Sequence, residues 1–269
     1  MRFKFFAVLT STALLLSSCH KNAITGRRSL NLISGSEMNA MSFTEYDKFL
    51  SEHKPLPETN ANVILVRKAG VNIQKAVEKY YADKGLSKHL DGFAWAFNVV
   101  DDPTINAWCM PGGKVVVYTG ILPITKDETS LAVVMGHEIA HAIAQHGNER
   151  MSSALMVQLG GAVLSTALQT KPQLTHDIFM QSFGITSQLG MLGYSRSHET
   201  EADKMGVIFA AMAGYDPRAA ITFWERMSQA GGGEKPPQLL STHPSDERRI
   251  SDLRGFMKDA LPYYEASKK

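Results

Sequence analysis

His137, Glu138 and His141 stand in the order His-Glu-x-x-His inside a stretch whose apolar spacing is helical. Helix positions four apart differ by about 40° in direction, so both imidazoles project from one face toward one point. Two neutral imidazoles suit zinc, and the Glu138 carboxylate flanks the same point, where it can take a proton from a metal-activated water. A third ligand must come from elsewhere. Ala144 and Gly147 occupy the places where a His-x-x-Gly-x-x-His continuation needs Gly and His, so that pattern is excluded. His146 lies about 180° round a continuous helix from His137 and reads as a capping or supporting histidine. Downstream, Glu199 and Asp203 share a helix face. Glu199 would complete a His-His-Glu site, and Asp203 could accept a hydrogen bond from the far nitrogen of a ligand histidine and fix its tautomer. Carboxylates also favour helix N-termini without any metal, a reading that fits Glu201, and His198 stays a further candidate about 100° round from Glu199.

These residues need helices and a sheet to hold them. Residues 35–52 and 60–84 carry apolar side chains at helical spacing, among them Val63, Val66, Ile73 and Val77. Phe93, Trp95, Phe97 and Val99 alternate with Ala94, Ala96 and Asn98, the period of a strand. Asp101-Asp102-Pro103 is a turn, and residues 106–110 and 114–119 read as two more strands joined through Pro111-Gly112-Gly113. The His-Glu-x-x-His helix follows, capped by Asp127, with Gly147 as its expected stop. Helices are expected over 199–213 and 216–230, then a last one from near Ser245. The class is α+β, mostly helical, with one small sheet.

The chain has 269 residues, 44% of them hydrophobic and 20% charged, a composition that suits an ordinary globular domain. Arg2 and Lys4 precede an apolar run from Phe5 to Leu16 that closes on Leu16-Ser17-Ser18-Cys19. About a dozen apolar residues are too few to span a bilayer and fit a signal peptide. Its ending resembles a bacterial lipoprotein signal, which makes Cys19 the lipidated N-terminus. The expected organisation is a signal peptide over 1–18, the lipidated cysteine and a tether over 19–34, and a catalytic domain over 35–269. Removing residues 1–18 takes away two bases and no acid, leaving 26 basic and 26 acidic side chains. That balance gives no electrostatic basis for binding nucleic acid. With Cys19 lipidated, Cys109 is the sole remaining thiol and no internal disulfide forms. His20 is not the acidic residue associated with inner-membrane retention, so the expected location is the outer membrane, facing the periplasm.

Gly136 to His141, Tyr194-Ser195-Arg196 through Glu199-x-x-x-Asp203, and Thr242-His243-Pro244 together resemble the HtpX and CAAX prenyl protease type of zinc metallopeptidase, peptidase family M, number forty-eight. The similarity is nearest to its lipoprotein and mitochondrial stress-peptidase branches, and Asn22 to Arg28 resembles the start of bacterial members. The resemblance implies a zincin-like fold with one Zn2+ per chain, Glu199 as third ligand and Asp203 in support. It implies that Asn106, Ala107, Trp108 and Cys109 form the rim strand of the cleft, able to hold an extended peptide by backbone hydrogen bonds. It also implies that His243 faces the cleft and stabilises the tetrahedral oxyanion.

The expected function is therefore zinc-dependent hydrolysis of internal peptide bonds, with Glu138 as general base and extended or misfolded envelope proteins as substrates. The rival is a lipid-anchored binding or chaperone-like protein with a latent or unused zinc site. The uncharged runs within 151–195 are too polar for confident membrane spans and read as a buried hairpin or a lid. Oligomerisation is left open.

Overall fold

The computed structural model describes residues 19–159, 172–183, 195–230, 237–243 and 247–269. It opens with a short antiparallel hairpin, β1 (Cys19–Lys21) and β2 (Arg28–Leu30). Helix α1 (Gly35–Glu52) starts at a capping box in which the Ser34 hydroxyl accepts from the Glu37 backbone N–H, and Glu37 reaches back to the Ser34 N–H. Helix α2 (Ala61–Asp83) is capped by the Asn60 side chain and buries Val63, Val66, Ile73 and Val77 on one face. Strands β3 (Ala96–Val100), β4 (Ala107–Met110) and β5 (Lys114–Tyr118) form one sheet in the order β3-β5-β4. β5 runs parallel to β3 and antiparallel to β4, which leaves β4 at an edge. The alternation expected from Phe93 becomes regular strand only at Ala96, while Phe93, Trp95 and Phe97 pack as a row of rings.

After the short α3 (Leu122–Thr125), the long helix α4 (Glu128–Ile143) carries the His-Glu-x-x-His residues and is capped by Asp127, whose carboxylate accepts from the Ser130 N–H. α4 does not run to Gly147. It stops at Ile143, the chain turns through Gln145 at φ +58°, and α5 (His146–Leu159) sets off in a new direction with Gly147 inside it. Next come α6 (Pro172–Phe183), α7 (Arg196–Met212), α8 (Ala219–Ala230), the short α9 (Gln238–Thr242) and α10 (Glu247–Ser267). Ser245 and the middle of the expected lid lie outside the described residues. Among those described, no helix is long and apolar enough to cross a membrane. The expected α+β class, mostly helical with a small sheet, is the observed one.

One core joins α2, the sheet, α4, α7 and α8 through residues such as Ile73, Val115, Leu131, Ile139, Phe209 and Phe223. α4 and α7 cross at two facing glycines. A Cβ on Gly206 would stand 2.8 Å from both the Cα and the N of His137, and one on Gly136 would stand 2.8 Å from the Gly206 carbonyl oxygen. Alanine is worth about 1 kcal/mol more than glycine in a helix interior. Here the obstructing atoms are backbone, which cannot swing aside, and overpacking of this kind costs about 1–3 kcal/mol. Gly206→Ala is therefore expected to lower the urea midpoint of unfolding and to weaken metal binding by displacing His137. A raised midpoint would show that the helices separate without cost.

Candidate metal centre

α4 points His137 and His141 at α7, and α7 returns Glu199 from its first turn, which Ser195 caps by accepting from the His198 N–H. His243, at the end of α9, closes the fourth side. The Nε2 atoms of His137 and His141 are 3.1 Å apart, and His137 Nε2 is 3.1 Å from His243 Nδ1. Glu199 Oε1 lies 2.9 Å from His243 Nδ1 and 3.4 Å from His141 Nε2, while its Oε2 is 3.5 Å from His137 Nε2. One donor atom from each of the four residues falls within a 4.8 Å cluster. Ligands about 2.0–2.1 Å from a tetrahedral zinc stand about 3.3 Å from one another, so the observed separations fit one shared ion.

The charges fit as well. Glu138, Glu199 and Asp203 are buried together with a single guanidinium, Arg249. Buried charge must be paired, so the carboxylates left over by Arg249 call for a cation at the imidazoles, a proton or a metal. Among the described residues, Glu199 Oε2 and Glu138 Oε1 accept no hydrogen bond. Burial works against the Glu199 carboxylate, but His243, His137 and His141 hold it well below the usual range. His137 is also opposed by burial, yet Asp203 and Glu199 draw its pKa up to about 9. A field that attracts a proton to that imidazole also attracts a metal cation. Burial pushes Glu138 up and His141 well down.

Behind the donors, the carboxylate of Asp203 accepts at 2.9 Å from His137 Nδ1, which directs Nε2 to the centre. Arg249 donates to Asp203 at 2.7 Å, lies 3.3 Å from Glu199, and stacks 3.3 Å from the centroid of the Trp224 ring. Sequence reasoning missed both Arg249 and Trp224. The only signal for Arg249 was an arginine six residues beyond His243, and Trp224 reads as one more apolar residue of the core face. His146 is a neighbour of His141, with Nδ1 atoms 2.9 Å apart, and burial holds it near 4 and hence neutral. His198 turns from the centre to Glu149, at 3.1 Å. Glu201, expected on a solvated helix start, is buried and accepts from His146, Thr25 and Arg27. Asn106, Ala107, Trp108 and Cys109 lie at or in edge strand β4 and are all buried, the Cys109 thiol pushed far up by that burial. Cys19 opens β1, and its backbone pairs with Leu30.

The sequence profile described as peptidase family M48 matches residues 68–257. The mitochondrial metalloendopeptidase OMA1 of Schizosaccharomyces pombe is 34% identical over 91% of this chain and 68% of its own length. Its counterpart in Homo sapiens is 31% identical over 98% of this chain and 52% of its own. The beta-barrel assembly-enhancing protease of Escherichia coli is 31% identical over 62% of this chain and 35% of its own. The chain thus spans about two thirds of the fission-yeast relative and about half or less of the other two.

The carboxylates behind the centre contribute to the acid sensitivity of the fold. Burial opposes ionisation of Glu149 and Glu201. Hydrogen bonds from His198 and Arg27 to the first, and from His146, Thr25 and Arg27 to the second, nevertheless hold both near 2. Their folded pKa lies below the unfolded one, so their stabilisation is full above about pH 4.5 and disappears as pH falls toward 2. Denaturation midpoints measured between pH 6 and 3 should fall, and Glu149→Gln should flatten that fall. An unchanged slope would remove Glu149 from this role.

Proposed function

Because the chain belongs to peptidase family M48, we propose that it is a zinc-dependent endopeptidase acting on extended or misfolded proteins of the cell envelope. The convergence of His137, His141 and Glu199 on one point, with Glu138 beside it, carries this reading. We assign those three residues as the ligands and Asp203 as the group that fixes the His137 tautomer. Zinc, when bound, supplies the Lewis acidity that activates a water and polarises the scissile carbonyl.

Glu138 accepts the proton from the attacking water and delivers it to the leaving amine. A buried carboxyl with a raised pKa suits that double task, because it must hold the proton between the two steps. His243 has Nε2 3.7 Å from Glu138 Oε1, beside the group that handles the water proton. A catalytic centre keeps one position open, so His243 yields its place among the donors and donates a hydrogen bond to the oxyanion. The stretch from Asn106 to Cys109, at and in edge strand β4, binds the substrate backbone as an added strand.

A second reading has a specific observation in its favour. His137, Glu138, His141, Glu199 and His243 are all buried, as is the β4 edge, so a peptide reaches them only after something moves. This supports an enzyme that is latent until a partner or unfolded client opens the cleft. A protein that merely binds has no use for a buried carboxylate beside the donor cluster whose Oε1 accepts no hydrogen bond among the described residues, so the binding-only reading is the weaker one.

Lipidation of Cys19 would place the chain at the periplasmic face of a membrane, the outer one by the reading of His20. A relative named for enhancing β-barrel assembly supports an envelope setting.

Two experiments bear on this function. Glu138→Gln should keep about one zinc per chain and lose casein cleavage by about 10²–10⁴-fold. Cleavage equal to the parent's would remove the mechanism. Cys19→Ser should release the protein from membranes on carbonate extraction, whereas retention would remove the lipid anchor as its attachment.

A further inference from the structure

The segment between β1 and β2, read from sequence as part of a tether, is a closed loop held against the back of the metal centre. The Asn22 carboxamide oxygen accepts from the N–H groups of Ile24 and Thr25, at 2.9 and 3.1 Å. The Asn22 N–H donates to the Arg27 carbonyl at 2.9 Å, and Gly26 N–H donates to the Asn22 carbonyl at 3.0 Å. Gly26 makes the reversal at φ +73°. The Asn22 amide also reaches Met205 on α7, with a 3.0 Å contact to its sulfur. The loop thereby aims Thr25 and Arg27 inward.

Both converge on Glu201. The Thr25 hydroxyl and the Arg27 Nε–H donate to its two oxygens. The other two guanidinium nitrogens of Arg27 form a fork on Glu149, at 3.0 and 2.8 Å, and Glu149 also accepts from His198. His198 stacks on His146 with ring centroids 4.5 Å apart and planes 23° from parallel. Arg27 thus spans the two carboxylates that hold two stacked imidazoles, a geometry a bidentate guanidinium provides and an ammonium does not.

Hydrogen-bond polarity then fixes a tautomer at the centre. For Nε2 of His141 to present a lone pair to a metal, its Nδ1 must carry the hydrogen and donate it to His146 Nδ1, 2.9 Å away. His146 must then carry its own hydrogen on Nε2, and that nitrogen lies 2.9 Å from Glu201 Oε2, which can only accept. Asp203 does for His137 in one step what Glu201 does for His141 through His146.

We propose that Thr25 and Arg27 are positioning residues of the metal centre, acting through Glu201 and His146 on His141, so that the loop between β1 and β2 sets the competence of the site. The proposal rests on the metallopeptidase reading above. It assigns the Asn22–Arg27 loop a task at the centre, although it lies far from the ligands in sequence.

The test is a chelator-competition titration of zinc on the full chain in detergent, with the visible spectrum of the cobalt-loaded protein as a second readout. Arg27→Gln should weaken zinc binding about 10–100-fold, the range typical for loss of a group supporting a ligand. It should also shift the cobalt spectrum and lower kcat with little change in KM. Thr25→Val, which removes one hydroxyl and almost no volume, should move all three in the same direction by less. Arg28→Gln, at an exposed neighbouring position, should move none of them. Arg27→Lys should fail to rescue. Parental zinc affinity and cobalt spectrum in both Arg27→Gln and Thr25→Val would overturn the proposal. If Arg27→Gln does not fold, Thr25→Val decides alone. A parent chain that binds no zinc would instead overturn the metallopeptidase reading itself.

Discussion

The backbone contact between Gly136 and Gly206 is the constraint on which the rest of the centre depends. Helices with ordinary side chains at a crossing keep their axes about 8–10 Å apart. Two glycines facing each other permit a closer approach. At that approach the short side chain of Glu199, on α7, reaches the histidines of α4, and Asp203 reaches the far nitrogen of His137. Both helices are also among the most deeply buried parts of the main core, so the surrounding packing holds the crossing in place.

Around that crossing the protein builds the same device twice, in different materials. His137 is oriented by a carboxylate one helical turn beyond Glu199 on the same helix, and Arg249 steadies that carboxylate from α10 while lying flat on Trp224. His141 is oriented by a second imidazole that itself leans on a carboxylate of α7. Placing His146 there requires the chain to leave the α4 axis after Ile143. A continuous helix would have carried His146 to the opposite side. The left-handed Gln145 is what makes the second arm available.

How much of this could be read in advance followed the range of the interactions. His137, Glu138 and His141 were legible because helical periodicity alone brings them together, and the same holds for Glu199 with Asp203. Strands β4 and β5 were legible, to within a residue, from two short apolar runs on either side of the Pro111-Gly112-Gly113 turn. The break at Gln145 was not, since a left-handed glutamine carries no local mark and Gly147 offered a more conventional stop. Glu201 was misread as a solvated residue because its partners Thr25 and Arg27 lie about 175 positions away. Arg249 and Trp224 were missed for the same reason: their importance comes from packing across elements, to which no spacing rule applies.

The burial of every donor separates two properties that are easily confused. Affinity for the ion is an equilibrium quantity set by the donors and their supports. The time an ion stays is set by how often the protein opens, because His137, His141, Glu199 and His243 are each no more than 6% exposed. An ion at such a centre exchanges no faster than the opening of the structure over it. Resistance to a chelator over minutes would then report the frequency of that opening, and anything that holds the structure open would at the same moment accelerate loss of the metal.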